Sequence, residues 1–109
     1  MAIFDKKLVL PHFSGNEELF MKVVRKFIEC YPRMLEEIRS AINNNDPLKL
    51  RESAHSFKGS VSIFRVKVLT DKVFELEKMG EVGNIVDAGP RLDEIEKELI
   101  QLVSEMTNL

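Results

Sequence analysis

The chain has 109 residues, of which 44% are hydrophobic and 31% charged, and its formal net charge is −2. This length supports one hydrophobic core and predicts a single domain over residues 1–109. Because the 16 basic residues form no long run among the 18 acidic ones, we expect neither nucleic acid nor a membrane as a partner. The apolar runs are shorter than the roughly 20 residues that span a bilayer, and the first residues lack the order of a signal peptide, which predicts a cytoplasmic protein.

The opening segment predicts a short helix. The stretch FDKKLVLP favours a helix from about Asp5 that ends before Pro11, since the residue before a proline disfavours helical geometry. Phe4 and Leu8 are its predicted apolar anchors, and we expect this helix to close one end of the core.

A second helix is predicted to start at SGNEEL, where Ser14 and Asn16 are candidate caps and acidic residues follow in the first turn. Pro32 then either kinks this helix or opens another helix at its first position. The segment NNND ends the helical pattern. The residues predicted to face inward are Leu19, Val23, Phe27 and Cys30, followed by Met34 or Leu35, Ile38 and Ile42.

The next helix is predicted to begin with Asp46 and Pro47, a cap followed by a proline whose missing N–H costs nothing there. His55 lies about 100° around this helix from Ala54, on the shoulder of its buried face. The buried stripe itself recurs at spacings of three and four: Leu50, Ala54, Phe57, Val61, Phe64 and Val68.

A second apolar stripe is made by Leu69, Val73 and Leu76. It would face about 100° away from the first stripe if this helix continued straight. We therefore predict a break near residues 64–66, after which Val66–Met79 packs antiparallel to the helix that carries His55.

The chain beyond this hairpin predicts one more helix. Gly80, Gly83 and Asn84 are expected to end the preceding segment, and Pro90 is either the first residue of the last helix or a kink in it. The helical state of residues 85–90 stays open at this point. The core residues predicted for the last helix are Leu92, Ile95, Leu99, Leu102 or Val103, and Met106. The whole chain thus predicts an all-α fold, an up-down antiparallel four-helix bundle with a short N-terminal helix.

The stretch AHSFKGSVSIFR surrounds the histidine with residues that suit chemistry on its ring. On a helix, Lys58 and Gly59 share the face of His55, and Ser62 follows one turn later. Gly59 costs roughly 1 kcal/mol against alanine inside a helix, which indicates that another molecule approaches closely there. Imidazole is a nucleophile that titrates near neutrality and lysine attracts phosphoryl oxygens, so the patch suits a phosphoryl acceptor. The alternative is an ordinary surface histidine.

The sequence AHSFKGS resembles the signature of histidine-phosphotransfer (HPt) domains, in which Ala-His precedes an apolar residue, Lys, Gly and a small residue. The resemblance extends to the GNEEL helix start and to the segment VFELEKMGEVGN. It implies that His55 is phosphorylated, that Lys58 stabilises the phosphoryl group, and that Glu77 orients His55 by accepting a hydrogen bond from its other ring nitrogen. It also implies a phosphorelay intermediate and not an enzyme, because a receiver domain supplies the transfer chemistry through its aspartate and Mg²⁺.

The partners that the resemblance implies are response-regulator receiver domains and a sensor histidine kinase of the same chain or pathway. The chain is either free-standing or the C-terminal domain of a hybrid kinase, and we expect a monomer. The family commonly has Gly where this chain has Arg65, so we expect a changed turn or helix end and an added charge near the docking surface, with the chemistry retained. The alternative is that Arg65 alters partner choice. The residues expected to form that surface are Arg51, Gly59, Ser60, Ser62, Ile63 and Arg65.

We expect neither a metal site nor a cofactor, because the sequence lacks paired His or Cys ligands at binding spacing. Cys30 has no partner for an intrachain disulfide, and His12, in a predicted loop, has no neighbouring Lys-Gly pair. Two other functions stay open. An enzyme that uses His55 as a general base needs further polar groups around it, and the sequence offers no second catalytic cluster. A non-phosphorylated interaction module derived from an HPt domain is compatible with Arg65.

Overall fold

The computed structural model describes residues 2–109, and helices joined by short turns account for most of them. The α-helices are α1 (Lys6–Val9), α2 (Glu17–Asn43), α3 (Pro47–Ser62), α4 (Lys67–Val82) and α5 (Ala88–Thr107). A 3-10 helix, Leu10–Phe13, links α1 to α2. Residues 2–109 contain no strand, so the predicted all-α class is confirmed. None of the described helices is both long and apolar enough to cross a bilayer.

Side-chain caps fix the starts of three helices. Asp5, Asn16 and Asp46 each accept a hydrogen bond from a backbone N–H two or three residues later, at 2.9–3.1 Å. Pro47 follows Asp46 as the first residue of α3, as predicted. Ser14 does not cap α2; it adopts a left-handed conformation, with φ of 53°, at the end of the 3-10 helix.

The buried face of α2 agrees with the prediction at Phe27 and Ile38. At the start of the helix it lies one residue further along than predicted, and near the end Ala41 is buried in place of Ile42. Leu19 is 46% exposed, whereas Phe20 is fully buried and stacks on Phe4 with ring centroids 6.2 Å apart. The larger aromatic ring buries more apolar surface, so it takes the inward position. Pro32 lies inside α2 and opens no new helix. The buried residues of α2 are Phe20, Val24, Phe27, Ile38 and Ala41.

The predicted break between the two apolar stripes is confirmed, because α3 ends at Ser62 and α4 begins at Lys67. The stripe from Leu50 to Phe64 is buried as predicted, but Val68 is 60% exposed. Val68 lies beyond the turn, where the chain has changed direction and α4 buries Leu69 instead.

The sequence predicted that Gly80 would help to end α4, but Gly80 lies buried inside this helix. A Cβ at this position would come within 2.6 Å of the Arg51 nitrogen and the Pro47 oxygen on α3. The glycine therefore allows the C-terminal part of α4 to approach the N-terminal part of α3. Gly83, with φ of 80°, forms the C-cap of α4.

The last helix begins at Ala88, which settles the open segment before Pro90: residues 88–90 are helical and Ile85 is buried ahead of them. Pro90 is the third residue of α5, where its missing N–H is harmless because the first turn has no intrahelical acceptors. Leu102, and not Val103, takes the buried position.

The N-terminal segment is tied to α5. Both carboxylate oxygens of Glu105 accept hydrogen bonds from the Ile3 and Phe4 N–H groups, at 2.9–3.1 Å. Phe4 is buried as predicted, but Leu8 is 59% exposed and Val9 fills the core in its place. Contacts join α2 to α3, α3 to α4, α4 to α5 and α5 back to α2. These four helices therefore surround one core and leave the outer face of α3 free for a site.

Candidate functional site

His55 lies on the outer side of α3, next to the buried residues that anchor the helix. Ala54 and Phe57 are fully buried, while the His55 side chain is 69% exposed. The shoulder position expected from the helical period is therefore the observed one. The depression beside the imidazole is lined by the charged side chains of Arg51, Glu52, Glu77 and Glu81.

The His55 ring is held from α4. Its Nδ1 lies 3.1 Å from Oε2 of Glu77, whose side chain is only 15% exposed. The hairpin of α3 and α4 turns near the midpoint between these two residues, so antiparallel packing brings them to the same level. Glu77 follows the buried Leu76, which fixes the orientation of this part of α4.

The charge of Glu77 decides which nitrogen of His55 carries a hydrogen. Burial opposes ionisation of Glu77, but its contacts with the Lys58 ammonium and the His55 imidazole outweigh burial, and the pKa of this carboxyl is lowered. An ionised carboxylate only accepts hydrogen bonds, so Nδ1 must be the donor. A neutral His55 then has its lone pair on Nε2.

Lys58 meets the same carboxylate. Its Nζ lies 2.7 Å from Oε1 of Glu77, and its side chain is 26% exposed. The ammonium also lies 4.5 Å from the centre of the Phe74 ring. One carboxylate therefore holds both side chains that the sequence singled out, one on each oxygen. The sequence did not indicate Phe74, since contacts across two helices leave no local pattern.

The small residues after His55 leave open space on this face of α3. An added Cβ at Gly59 would meet no atom of another element within 4 Å. The Ser62 hydroxyl donates a hydrogen bond to the Gly59 carbonyl at 3.0 Å, and the Ser60 hydroxyl lies 3.8 Å from the Met34 sulfur on α2. Ile63 is 42% exposed. Ser60 and Ile63 border a groove between α2 and α3 whose α2 side includes Met34 and Cys30.

Arg51 and Arg65 lie on opposite sides of His55 along the chain, and both are exposed. Arg65 is in the turn between α3 and α4 and has a φ of 60°, a conformation that favours glycine. Its Nε lies 3.1 Å from Nε2 of His12, and its terminal NH2 group contacts the same nitrogen. His12, to which the sequence assigned no role, thus contacts Arg65.

Among residues 2–109, no cluster of three or more His, Cys, Asp or Glu side chains has an arrangement that would hold a metal ion.

Two comparisons with known proteins bear on this site. The sequence model of the Hpt domain family matches residues 22–105. The fold is similar to the crystal structure of histidine-containing phosphotransfer protein B from Pseudomonas aeruginosa PAO1, with a TM-score of 0.88 and 22% sequence identity, over 96% of this chain and 91% of that chain. No curated protein sequence matches this chain. At this identity the structural likeness concerns the fold alone.

Proposed function

The chain belongs to the Hpt domain family, and on this basis we propose that it is a phosphorelay intermediate that accepts and donates a phosphoryl group on His55. The observation that carries the proposal is the state of the imidazole. Its Nδ1 is held by Glu77, while the side chain is 69% exposed to an incoming partner. A partner's phosphoryl group therefore meets Nε2, the nitrogen that has the free lone pair.

Transfer to His55 is a substitution at phosphorus. Nε2 attacks the aspartyl phosphate of a receiver domain, the Nε2–P bond forms, and the bond from phosphorus to the aspartate oxygen breaks. The aspartate leaves as a carboxylate. No proton moves, because the ring keeps its Nδ1 hydrogen and becomes positively charged. The carboxylate of Glu77, 3.1 Å from Nδ1, offsets this charge. The reverse sequence returns the phosphoryl group to an aspartate.

Lys58 stabilises the phosphoryl oxygens in this scheme. An ammonium that shares a carboxylate with His55 is close enough to reach a group on the ring by rotation of its flexible stem. The chain is then a carrier and not an enzyme, since the receiver domain supplies the aspartate and Mg²⁺. It uses no cofactor of its own.

The receiver domain docks on the outer face of α3 around His55. Open space at Gly59 permits close approach of the partner backbone, and the groove beside Ser60 and Ile63 offers apolar surface. Arg51 and Arg65 add positive charge, which suits an anionic aspartyl phosphate site.

We further propose that residues 1–109 form one domain in which α2–α5 make an up-down antiparallel four-helix bundle. The cyclic contacts of the four helices support this arrangement. So do the ion pairs of Arg39 on α2 with Asp93 on α5 and of Lys72 on α4 with Glu98 on α5. The domain acts as a monomer in the cytoplasm, either free-standing or as the C-terminal domain of a hybrid sensor kinase.

A phosphotransfer assay tests the proposal. The wild type, His55→Gln and His12→Gln are each incubated with a panel of phosphorylated receiver domains, and acid-labile label on the chain is followed. We expect label on the wild type and on His12→Gln, the matched control at the other histidine, and none on His55→Gln. Equal label on His55→Gln would exclude His55 as the carrier. An unlabelled wild type across the panel would favour the non-phosphorylated interaction module.

A further inference from the structure

Phe74 is a large aromatic residue on the surface beside the site, and neither the sequence nor the proposed function explains it. It lies on α4, one turn before Glu77, and is 42% exposed. Its ring centre is 4.5 Å from the Lys58 ammonium and 5.5 Å from the Lys78 ammonium. The contacts with two ammonium groups distinguish Phe74 from the other exposed apolar residues of the chain.

We propose that Phe74 is a positioning residue that holds the Lys58 ammonium beside His55 for phosphoryl transfer. This inference rests on the proposed function of His55. The Lys58 side chain is only 26% exposed, although a surface lysine normally extends into water. Its ammonium contacts both the Phe74 ring, 4.5 Å from the ring centre, and Oε1 of Glu77, at 2.7 Å. Two contacts of different chemistry thus restrict a side chain that otherwise samples many rotamers.

The Phe74 ring can hold the Lys58 ammonium without occupying one of its N–H donors, whereas the Glu77 carboxylate cannot. Glu77 binds Lys58 through a hydrogen-bond donor of the ammonium, and this donor must be released when Lys58 turns toward a phosphoryl oxygen. The face of an aromatic ring attracts a cation without a fixed direction and leaves the three N–H donors available. Phe74 therefore keeps the ammonium near His55 both before and after it leaves Glu77.

A double-mutant cycle measures this role. The rate of phosphoryl transfer from a phosphorylated receiver domain is compared for the wild type, Phe74→Leu and Phe74→Tyr, each with Lys58 and with Lys58→Met. We expect Phe74→Leu to lower the rate roughly two- to five-fold, the size of an exposed cation–π contact, when Lys58 is present. With Lys58→Met the same change should have no further effect. Phe74→Tyr keeps the ring face and should retain the wild-type rate.

Lys78→Met is the matched control, because it removes the other cation over the same ring and should leave transfer unchanged. An equal loss for Phe74→Leu in the presence and absence of Lys58 would overturn the inference. So would a Tyr variant as slow as the Leu variant, because a general packing role predicts both results.

NMR can detect the contact between Lys58 and Phe74 without any phosphoryl donor. A cation above an aromatic face has its neighbouring Cε protons shifted upfield, so the NMR signal of the Lys58 Cε protons should move downfield in Phe74→Leu and stay in place in Phe74→Tyr. An unmoved signal in Phe74→Leu contradicts the inference even if transfer occurs. A wild type that shows the upfield shift but takes no label overturns the proposed function, and with it the role of Phe74 in transfer.

Discussion

The helices α3 and α4 each contain an interior glycine, and we predict opposite effects when the two are replaced by alanine. At Gly80 the new Cβ would lie 2.6 Å from two backbone atoms of α3 and 2.9 Å from the Arg51 Cα. Backbone atoms cannot rotate away, so α3 and α4 must separate. At Gly59 the new Cβ would meet no atom of another element within 4 Å.

The magnitudes follow from these distances. Overpacking against backbone costs about 3 kcal/mol, the upper part of the usual range, and the better helix propensity of alanine returns about 1 kcal/mol. Gly80→Ala should therefore lower the free energy of unfolding by about 2 kcal/mol. Gly59→Ala has only the propensity gain and should raise it by about 1 kcal/mol. In a domain of this size each kcal/mol moves the melting temperature by roughly 4–8 °C.

Urea denaturation followed by far-UV circular dichroism measures both variants against the wild type, with the slope against urea as a check that the unfolded state is unchanged. A Gly80→Ala variant as stable as the wild type would refute the close helix approach. A destabilised Gly59→Ala variant would refute the open space at that position. The phosphotransfer assay adds a second contrast, because Gly59→Ala should fold more stably and still transfer more slowly if a partner must approach there.

Three further predictions concern stability. Asp46→Ala removes the α3 cap and should cost about 1 kcal/mol in urea denaturation, while an unchanged midpoint would show that the cap is dispensable. Arg65→Gly relieves a left-handed backbone and should raise the melting temperature by several degrees, the gain corresponding to about 1 kcal/mol; a lower value would mean that the contact with His12 matters more than the backbone. Burial of Glu105 opposes its ionisation, but hydrogen bonds from the Ile3 and Phe4 N–H groups outweigh burial and lower its pKa. Its stabilisation is therefore complete above the pKa of the unfolded chain and disappears as the pH falls through the folded-state pKa, so wild type and Glu105→Gln should differ near neutrality and converge in acid.

Signals that act within a few residues were sufficient to predict the hairpin of the site. The cap at Asp46, the proline after it and the stripe from Leu50 to Phe64 are local, and they set the start, face and end of α3. The change of stripe direction at Leu69 then required a turn. Once the turn is fixed near residues 64–66, antiparallel packing determines that Glu77 lies opposite His55, and the structure brings the two together.

Features that depend on packing across the whole core, such as which of two adjacent residues is buried, could not be predicted from these local signals. Leu19 and Phe20 are adjacent apolar residues, and a helical period can start from either of them. Phe20, which has the larger side chain, is the one that is buried. The sequence predicts a helix end at Gly80, because it does not show that α3 packs closely against α4 at that point. The contact between Phe74 and Lys58 depends on the packing of the same two helices. The contacts missed at the site therefore join residues of different elements: Phe74 on α4 with Lys58 on α3, and His12 in the 3-10 helix with Arg65 in the turn.

Arg65 departs from the glycine that the family commonly has, and its effect on the protein surface can be considered apart from the chemistry at His55. The family commonly has Gly at this position, and Arg65 retains the left-handed backbone that glycine favours. This backbone conformation is also accessible to glycine, and α3 and α4 bring Glu77 to 3.1 Å from His55 in this chain. What changes is the surface, since a guanidinium in contact with His12 now lies at the end of α3. A charge at the rim of a docking face acts on the rate and choice of association more than on the bound chemistry. Under the proposed function, we therefore expect Arg65→Gly to change the rate and choice of association with receiver domains more than the transfer step itself, which the phosphotransfer assay measures.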